Sequence, residues 1–224
     1  MTLWNPEIPI DIQETLMKEK NQAFTLYLDF IIDGTASMYT VYPAVYFAAI
    51  HLIEALSKYE IYPRLGMTII RDEKGGEETE LIHFDSSYFT EDSAQFLKKM
   101  KNIPLYGGGD DGKESVHTAI KKSLAKFGDA ERNHAIIVFS DAYGSNDYAE
   151  YFDHPIGQAI FFTTEKMSEE DFRFAFINAD GTINEEASPM FLDIRQILKP
   201  LSSQMIDNVV KPLKDIMKGV SIGA

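Results

Sequence analysis

The chain has 224 residues, 45% of them hydrophobic, with 35 acidic against 21 basic side chains and a formal net charge of −14. That is enough apolar material for one globular domain with a real core, and the absence of cysteine excludes a disulfide framework and any thiolate metal site. The acidity argues against nucleic acid, which asks for a basic face that short clusters such as Lys98-Lys99-Met100-Lys101 do not supply.

The N-terminal stretch MTLWNPEIPIDIQETL has no basic run ahead of an apolar one and does not read as a signal peptide. Trp4, Pro6 and Pro9 suggest an arm over residues 1–19 that packs on the domain. Phe24 to Ile32, FTLYLDFII, is a nearly continuous apolar run, the pattern of a strand covered on both faces. Val41, Val45, Ala48, Leu52 and Leu56 then make a helical stripe, with Pro43 where a first turn tolerates it. His51 and Glu54 interrupt the most apolar helix, and no segment is long and clean enough to span a bilayer. A cytoplasmic protein without a membrane partner is the expectation.

Arg64–Arg71 and Glu80–Phe84 flank the polar loop DEKGGEET and read as a hairpin pair. Thr90 is the expected N-cap of a helix running to about Lys101, with Glu91 and Asp92 in its first turn. The glycine-rich loop NIPLYGGGDDG follows, and then a helical stripe of Val116, Ala119, Ile120, Leu124 and Phe127, closed by Gly128. Ala135–Phe139 and Gln158–Thr163 are further buried strands, and Phe172, Phe174 and Phe176 mark a strand with two unlike faces. Met190–Leu198 and Met205–Val220 read as closing helices, the second interrupted by Pro212 and packed on the body. Strands alternating with helices predict an α/β fold, a Rossmann-like three-layer sandwich with a mainly parallel central sheet flanked by helices. Ligands of such sheets bind beyond the carboxyl ends of the strands. Asp33, Asp141 and the loop YGGGDDG are all expected there.

The string DFIIDGTASM, Asp29 to Met38, admits two chemistries. An aspartyl-phosphate reading needs a nucleophile two residues before the second acid, and Ile31 occupies that position. A metal reading fits better. Asp33, Thr35 and Ser37 put three oxygen donors on alternate residues, with small Gly34 and Ala36 between them. Hard cations such as Mg²⁺ take oxygen ligands in an octahedron and keep some waters. The alternative for these residues is helix capping and turn bonding.

FIIDGTASM resembles the Asp-x-Ser-x-Ser signature of von Willebrand factor A domains, their metal-ion-dependent adhesion site (MIDAS). YPRLGMTIIRDEKG looks like the family's second strand and following turn. YGGGDDGKESVHTAI is similar to a Gly-Gly-Gly-Asp-x-Pro-Glu loop found in a subset of the family, and HAIIVFSDA looks like the strand that ends in its third metal-site aspartate. The resemblance covers roughly residues 20 to 165. It implies a domain over 20–200, with 201–224 as a C-terminal helix packed against it. It also implies Mg²⁺ (or Mn²⁺ or Ca²⁺) held by Asp33, Thr35, Ser37 and Asp141 as metal ligands, with Thr35 in place of the usual serine. The second loop, where the family commonly has a metal-bound threonine, falls near Gly109-Asp110-Asp111. Asp110 is its first candidate ligand and Ser115 the alternative, and Lys113 replaces the loop's proline.

The function so implied is that of a non-enzymatic scaffold or adaptor. It would bind a protein partner's Asp or Glu at the open coordination position. The alternatives are a metal-assisted hydrolase acting on a phosphorylated substrate, with His117 or Asp111 first to test as its base, and an interaction domain with a vestigial site. FINADGTINEEA offers Phe176 and Ala187 where a calcium loop needs carboxylates, so a β-turn is expected. The five histidines include no close-spaced pair for zinc. YGGGDDG lacks the Lys-Ser/Thr tail of a nucleotide-binding loop.

Overall fold

A computed structural model describes residues 25–108, 113–127, 133–141, 143–144, 149–163, 172–178, 181–198 and 202–218. The central sheet is built from β1 (Tyr27–Asp33), β2 (Arg64–Ile70), β3 (Glu80–Leu81), β4 (Phe89–Thr90), β6 (His134–Ser140), β9 (Gln158–Thr163) and β11 (Met190–Asp193). Its order is β11-β9-β6-β1-β2-β3, with β4 also pairing with β2. The pairs β11/β9, β9/β6, β6/β1 and β1/β2 are parallel. The expected hairpin is present as antiparallel β2/β3, in the register Thr68↔Leu81 and Ile69↔Glu80.

Every residue of β1 and β6 is buried, because the sheet is covered on both faces and each strand must be apolar on alternate residues in both directions. On one face Leu28, Phe30, Ile32, Met67, Ile69, Ile137, Phe139, Ile160 and Phe162 pack against three helices. These are α1 (Tyr42–Lys58), α2 (Ser93–Lys101) and α4 (Ser203–Lys218). The opposite face, including Ile31, Ile136, Val138 and Phe161, is covered by helix α3 (Val116–Leu124) and by Phe172, Phe174 and Phe176. Those phenylalanines lie on β10 (Phe172–Phe176), which pairs in parallel with β8 (Ala149–Ile156) in a small separate sheet. A second small pair joins β5 (Lys113–Glu114) to β7 (Tyr143–Gly144). The fold is therefore α/β, with a mostly parallel sheet between layers that contain helices.

Three expectations are corrected. Met190–Leu198 is not one helix: β11 adds a parallel strand beside β9, and a 3-10 turn follows over Ile194–Leu198. The residues alternate, Met190 and Leu192 packing on one core and Phe191 on the other, which is a period of two. The cap of α2 is Asp92 rather than Thr90. Its Oδ1 accepts from the backbone N–H groups of Ala94 (2.9 Å) and Gln95 (3.0 Å), while Thr90 ends a short strand. The strand after the polar loop stops at Leu81 instead of Phe84. The FINADGT segment does turn, with Gly181 N donating to Asn178 O at 2.9 Å and Ile177 bridging to Ile183. The predicted N-terminal arm, with Trp4, lies outside the described residues, as do Val220 and Gly128. Among the described residues, no helix is long and apolar enough to cross a membrane.

Candidate metal site

Beyond the carboxyl ends of β1 and β6 the chain leaves the sheet, and its polar groups must find partners other than a neighbouring strand. Asp33 is the last residue of β1 and is fully buried. Thr35 follows in an extended conformation (φ −76°, ψ 164°). Asp33 Oδ1 accepts two hydrogen bonds from Thr35, one from its N–H (3.0 Å) and one from its hydroxyl (2.7 Å). The other carboxylate oxygen accepts from Ser140 Oγ at 2.7 Å. The hydroxyls of Thr35 and Ser37 are 3.0 Å apart. Ser37 Oγ then donates to Asp141 Oδ1 at 2.8 Å, across 104 positions of sequence. Asp33, Thr35, Ser37 and Asp141 thus form one string of oxygen atoms at a single sheet edge. Asp33 and Thr35 are its buried floor, and Ser37 opens to solvent.

Burial pushes the Asp33 carboxyl above its ordinary value. Hydrogen bonds from Thr35 and Ser140 work in the opposite direction, and the nearby charge of Asp141 adds to the rise. Among the described residues no cation forms an ion pair with Asp33. A carboxylate so placed gains from any positive charge that reaches it. Among the same residues no three His, Asp or Glu side chains form a group that could hold a metal ion; the oxygens of the string belong to two carboxylates and two hydroxyls. An all-oxygen set of this kind suits a hard cation and not zinc.

The loop carrying these donors is held from below. Gly34 N donates to Ile70 O at 3.2 Å, Tyr106 N to Gly34 O at 3.1 Å, and Ala36 N to Gly107 O at 3.2 Å. A Cβ at position 34 would stand 2.5 Å from Ile69 Cγ2 and 2.6 Å from Arg71 Nη1, so glycine is required there by close approach. Gly107 has φ +70°, and the Glu77 carboxylate occupies the place of its missing Cβ. The start of the glycine-rich loop is in this way fastened to the first donor loop.

Asp110 and Asp111 lie outside the described residues. Ser115 is buried just ahead of α3, and its hydroxyl accepts from Glu73 N at 3.2 Å. His117 is buried on α3, its ring stacked on Phe172 with centroids 4.5 Å apart. Two participants escaped the sequence reading. Ser140 was visible as the hydroxyl next to Asp141, at the end of a strand parallel to β1. Arg71 carries no local signal, because an arginine after a strand normally points to water. A comparison with models of known protein families finds no match to this chain, and a comparison with curated proteins finds none either.

Proposed function

We propose that this chain is a non-enzymatic von Willebrand factor A-like module that binds a partner protein through a divalent cation. The observation that supports it most is the string of oxygens from Asp33 to Asp141, which joins two distant loops at one sheet edge. In this reading Asp33, Thr35, Ser37 and Asp141 hold Mg²⁺, with Mn²⁺ or Ca²⁺ as substitutes, and Asp110 of the glycine loop is the further ligand that the resemblance implies. The ion would supply an open coordination place for an outside carboxylate. The two hydroxyl ligands neutralise none of its charge, whereas Asp110 as a ligand adds negative charge and weakens the attraction for an acidic sixth partner. Tyr39, 77% exposed on the turn after Ser37, and Tyr106, 45% exposed beside Gly34, stand on the two loops concerned. Exposed tyrosines beside a site offer a partner large contact area at little entropic cost. The partner is therefore a protein segment with an Asp or Glu next to apolar residues.

The test is calorimetric titration with Mg²⁺, followed by water-proton relaxation on the Mn²⁺-loaded protein. Wild type should bind one ion, Asp33→Ala should bind none, and a glutamate-bearing peptide should displace water from bound Mn²⁺. A wild-type protein that takes up no ion in millimolar Mg²⁺ defeats the reading.

A further inference from the structure

Arg71 leaves the end of β2 and is completely buried. Its guanidinium reaches three segments. Nη1 donates to Gly34 O, in the middle of the first donor loop. Nε pairs with Glu80 Oε1 on the neighbouring strand at 2.7 Å. The ring of Tyr106, in the glycine loop, lies 4.0 Å from the guanidinium carbon. Nη2 has no acceptor among the described residues.

Placing a guanidinium here carries a desolvation cost of several kcal/mol, and its one ionic partner among the described residues, Glu80, is 40% exposed. A methionine or leucine would fill much of the same space without that cost. What an apolar side chain lacks is the planar fork, which donates to one loop while its face supports the ring of another. Gly34 O accepts from both Arg71 and Tyr106 N, and two residues further along the first loop Ala36 N donates to O of Gly107, the residue after Tyr106. The peptide groups so fixed are those of Gly34, between Asp33 and Thr35, and Ala36, between Thr35 and Ser37.

We propose that Arg71 is a positioning residue of the candidate metal site: through Gly34 O and the Tyr106 ring it latches residues 106–107 onto the first donor loop and sets the spacing of the Asp33, Thr35 and Ser37 oxygens. The proposal rests on the metal reading for its consequence, whereas the latch itself can be tested without metal. Supporting groups of this sort typically change metal affinity about ten- to a hundredfold when removed.

The experiment compares wild type with Arg71→Lys, Arg71→Met and Glu80→Gln, by Mg²⁺ calorimetry and by hydrogen exchange of the metal-free proteins. Arg71→Lys keeps the charge and loses the fork. Both Arg71 variants should bind Mg²⁺ at least about tenfold more weakly, with faster exchange at the amides of Ala36 and Tyr106 and unchanged exchange at Ile137 in β6. Glu80→Gln removes the charge opposite Arg71 but keeps an acceptor oxygen for Arg71 Nε and for the Tyr106 hydroxyl, which donates to Glu80 Oε1 at 3.4 Å, and it should bind Mg²⁺ within about threefold of wild type. Wild-type Mg²⁺ affinity together with wild-type protection of Ala36 and Tyr106 in Arg71→Lys overturns the proposal. So does faster exchange spread equally over β6, the mark of a general loss of stability. If wild type itself binds no Mg²⁺, the metal reading fails, and the exchange at Ala36 and Tyr106 alone decides whether the latch exists.

Discussion

Two buried carboxylates on β1 show how differently one residue type is used within a single strand. Asp29 is fully buried beneath the sheet and pairs with Lys126 Nζ at 2.6 Å, while Thr68 Oγ1 donates to it at 2.8 Å and Ser123 Oγ donates to it as well. Burial pulls the Lys126 amine below its ordinary value, and the charge of Asp29 works against that pull. Removing one partner of such a pair leaves a buried charge alone, whereas removing both does not. Lys126→Met should therefore lower the unfolding free energy in urea by about 3–5 kcal/mol, and adding Asp29→Asn should recover most of the loss. Asp33, by contrast, has hydroxyls and an N–H around it and, among the described residues, no cation paired with it. In the presence of a chelator Asp33→Asn should raise the urea midpoint, since the neutral amide escapes the burial that pushes the carboxyl up. The same variant should lose any Mg²⁺-dependent shift. A stability gain from Asp33→Asn combined with an unchanged Mg²⁺ response would count against Asp33 as a ligand.

Among the elements, α2 depends on its cap. Asp92 satisfies two of the helix's first N–H groups, and three lysines stand in its last turn, where the helix dipole favours cations. Asp92→Ala should lower stability by about 1 kcal/mol, readable as a drop in thermal midpoint. The short turn Glu73–Gly75 is tied to α3 by Glu73 and Lys122, 2.7 Å apart with side chains 31% and 38% exposed. Partial burial works to raise Glu73, but hydrogen bonds from Lys122 and Thr79 outweigh it and hold the carboxyl below its ordinary range. A lowered carboxyl contributes stability above its unfolded value, and that contribution fades as pH falls through the folded value. Lys122→Ala should thus cost well under about 1 kcal/mol at neutral pH, given the solvent exposure, and the difference from wild type should vanish in acid below the folded value of Glu73. The element-level misreading of Met190–Leu198 has the same origin as the unforeseen β8. Both contain or adjoin polar and proline residues, and a partner strand (β9 for one, β10 for the other) decides their state.

For the whole molecule, the site sits where two parallel neighbours, β1 and β6, end side by side, so its donors are held by the sheet and not by either loop alone. Ligand binding to the folded state only should stabilise the entire domain. Mg²⁺ at about a hundred times its dissociation constant should add about 2.7 kcal/mol, and Asp33→Ala should abolish the increment. Differential scanning fluorimetry with and without Mg²⁺ reads both. The buried strands, the stripes of α1 and α3 and the alternating side-chain oxygens of Asp33, Thr35 and Ser37 were legible in the sequence, because each is a periodicity within a few adjacent residues, and the mostly parallel sheet followed from the alternation of strands and helices. The sequence could not say that Ser37 would meet Asp141, that Ser140 would donate to Asp33, that Asp29 would take Lys126 as its partner, or that Arg71 would lie under Tyr106. Those pairs are separated by 35 to 107 positions along the chain, and nothing local encodes them. Packing decides them, since a polar group removed from water is held only by whichever partner the sheet order and the covering helices bring within reach.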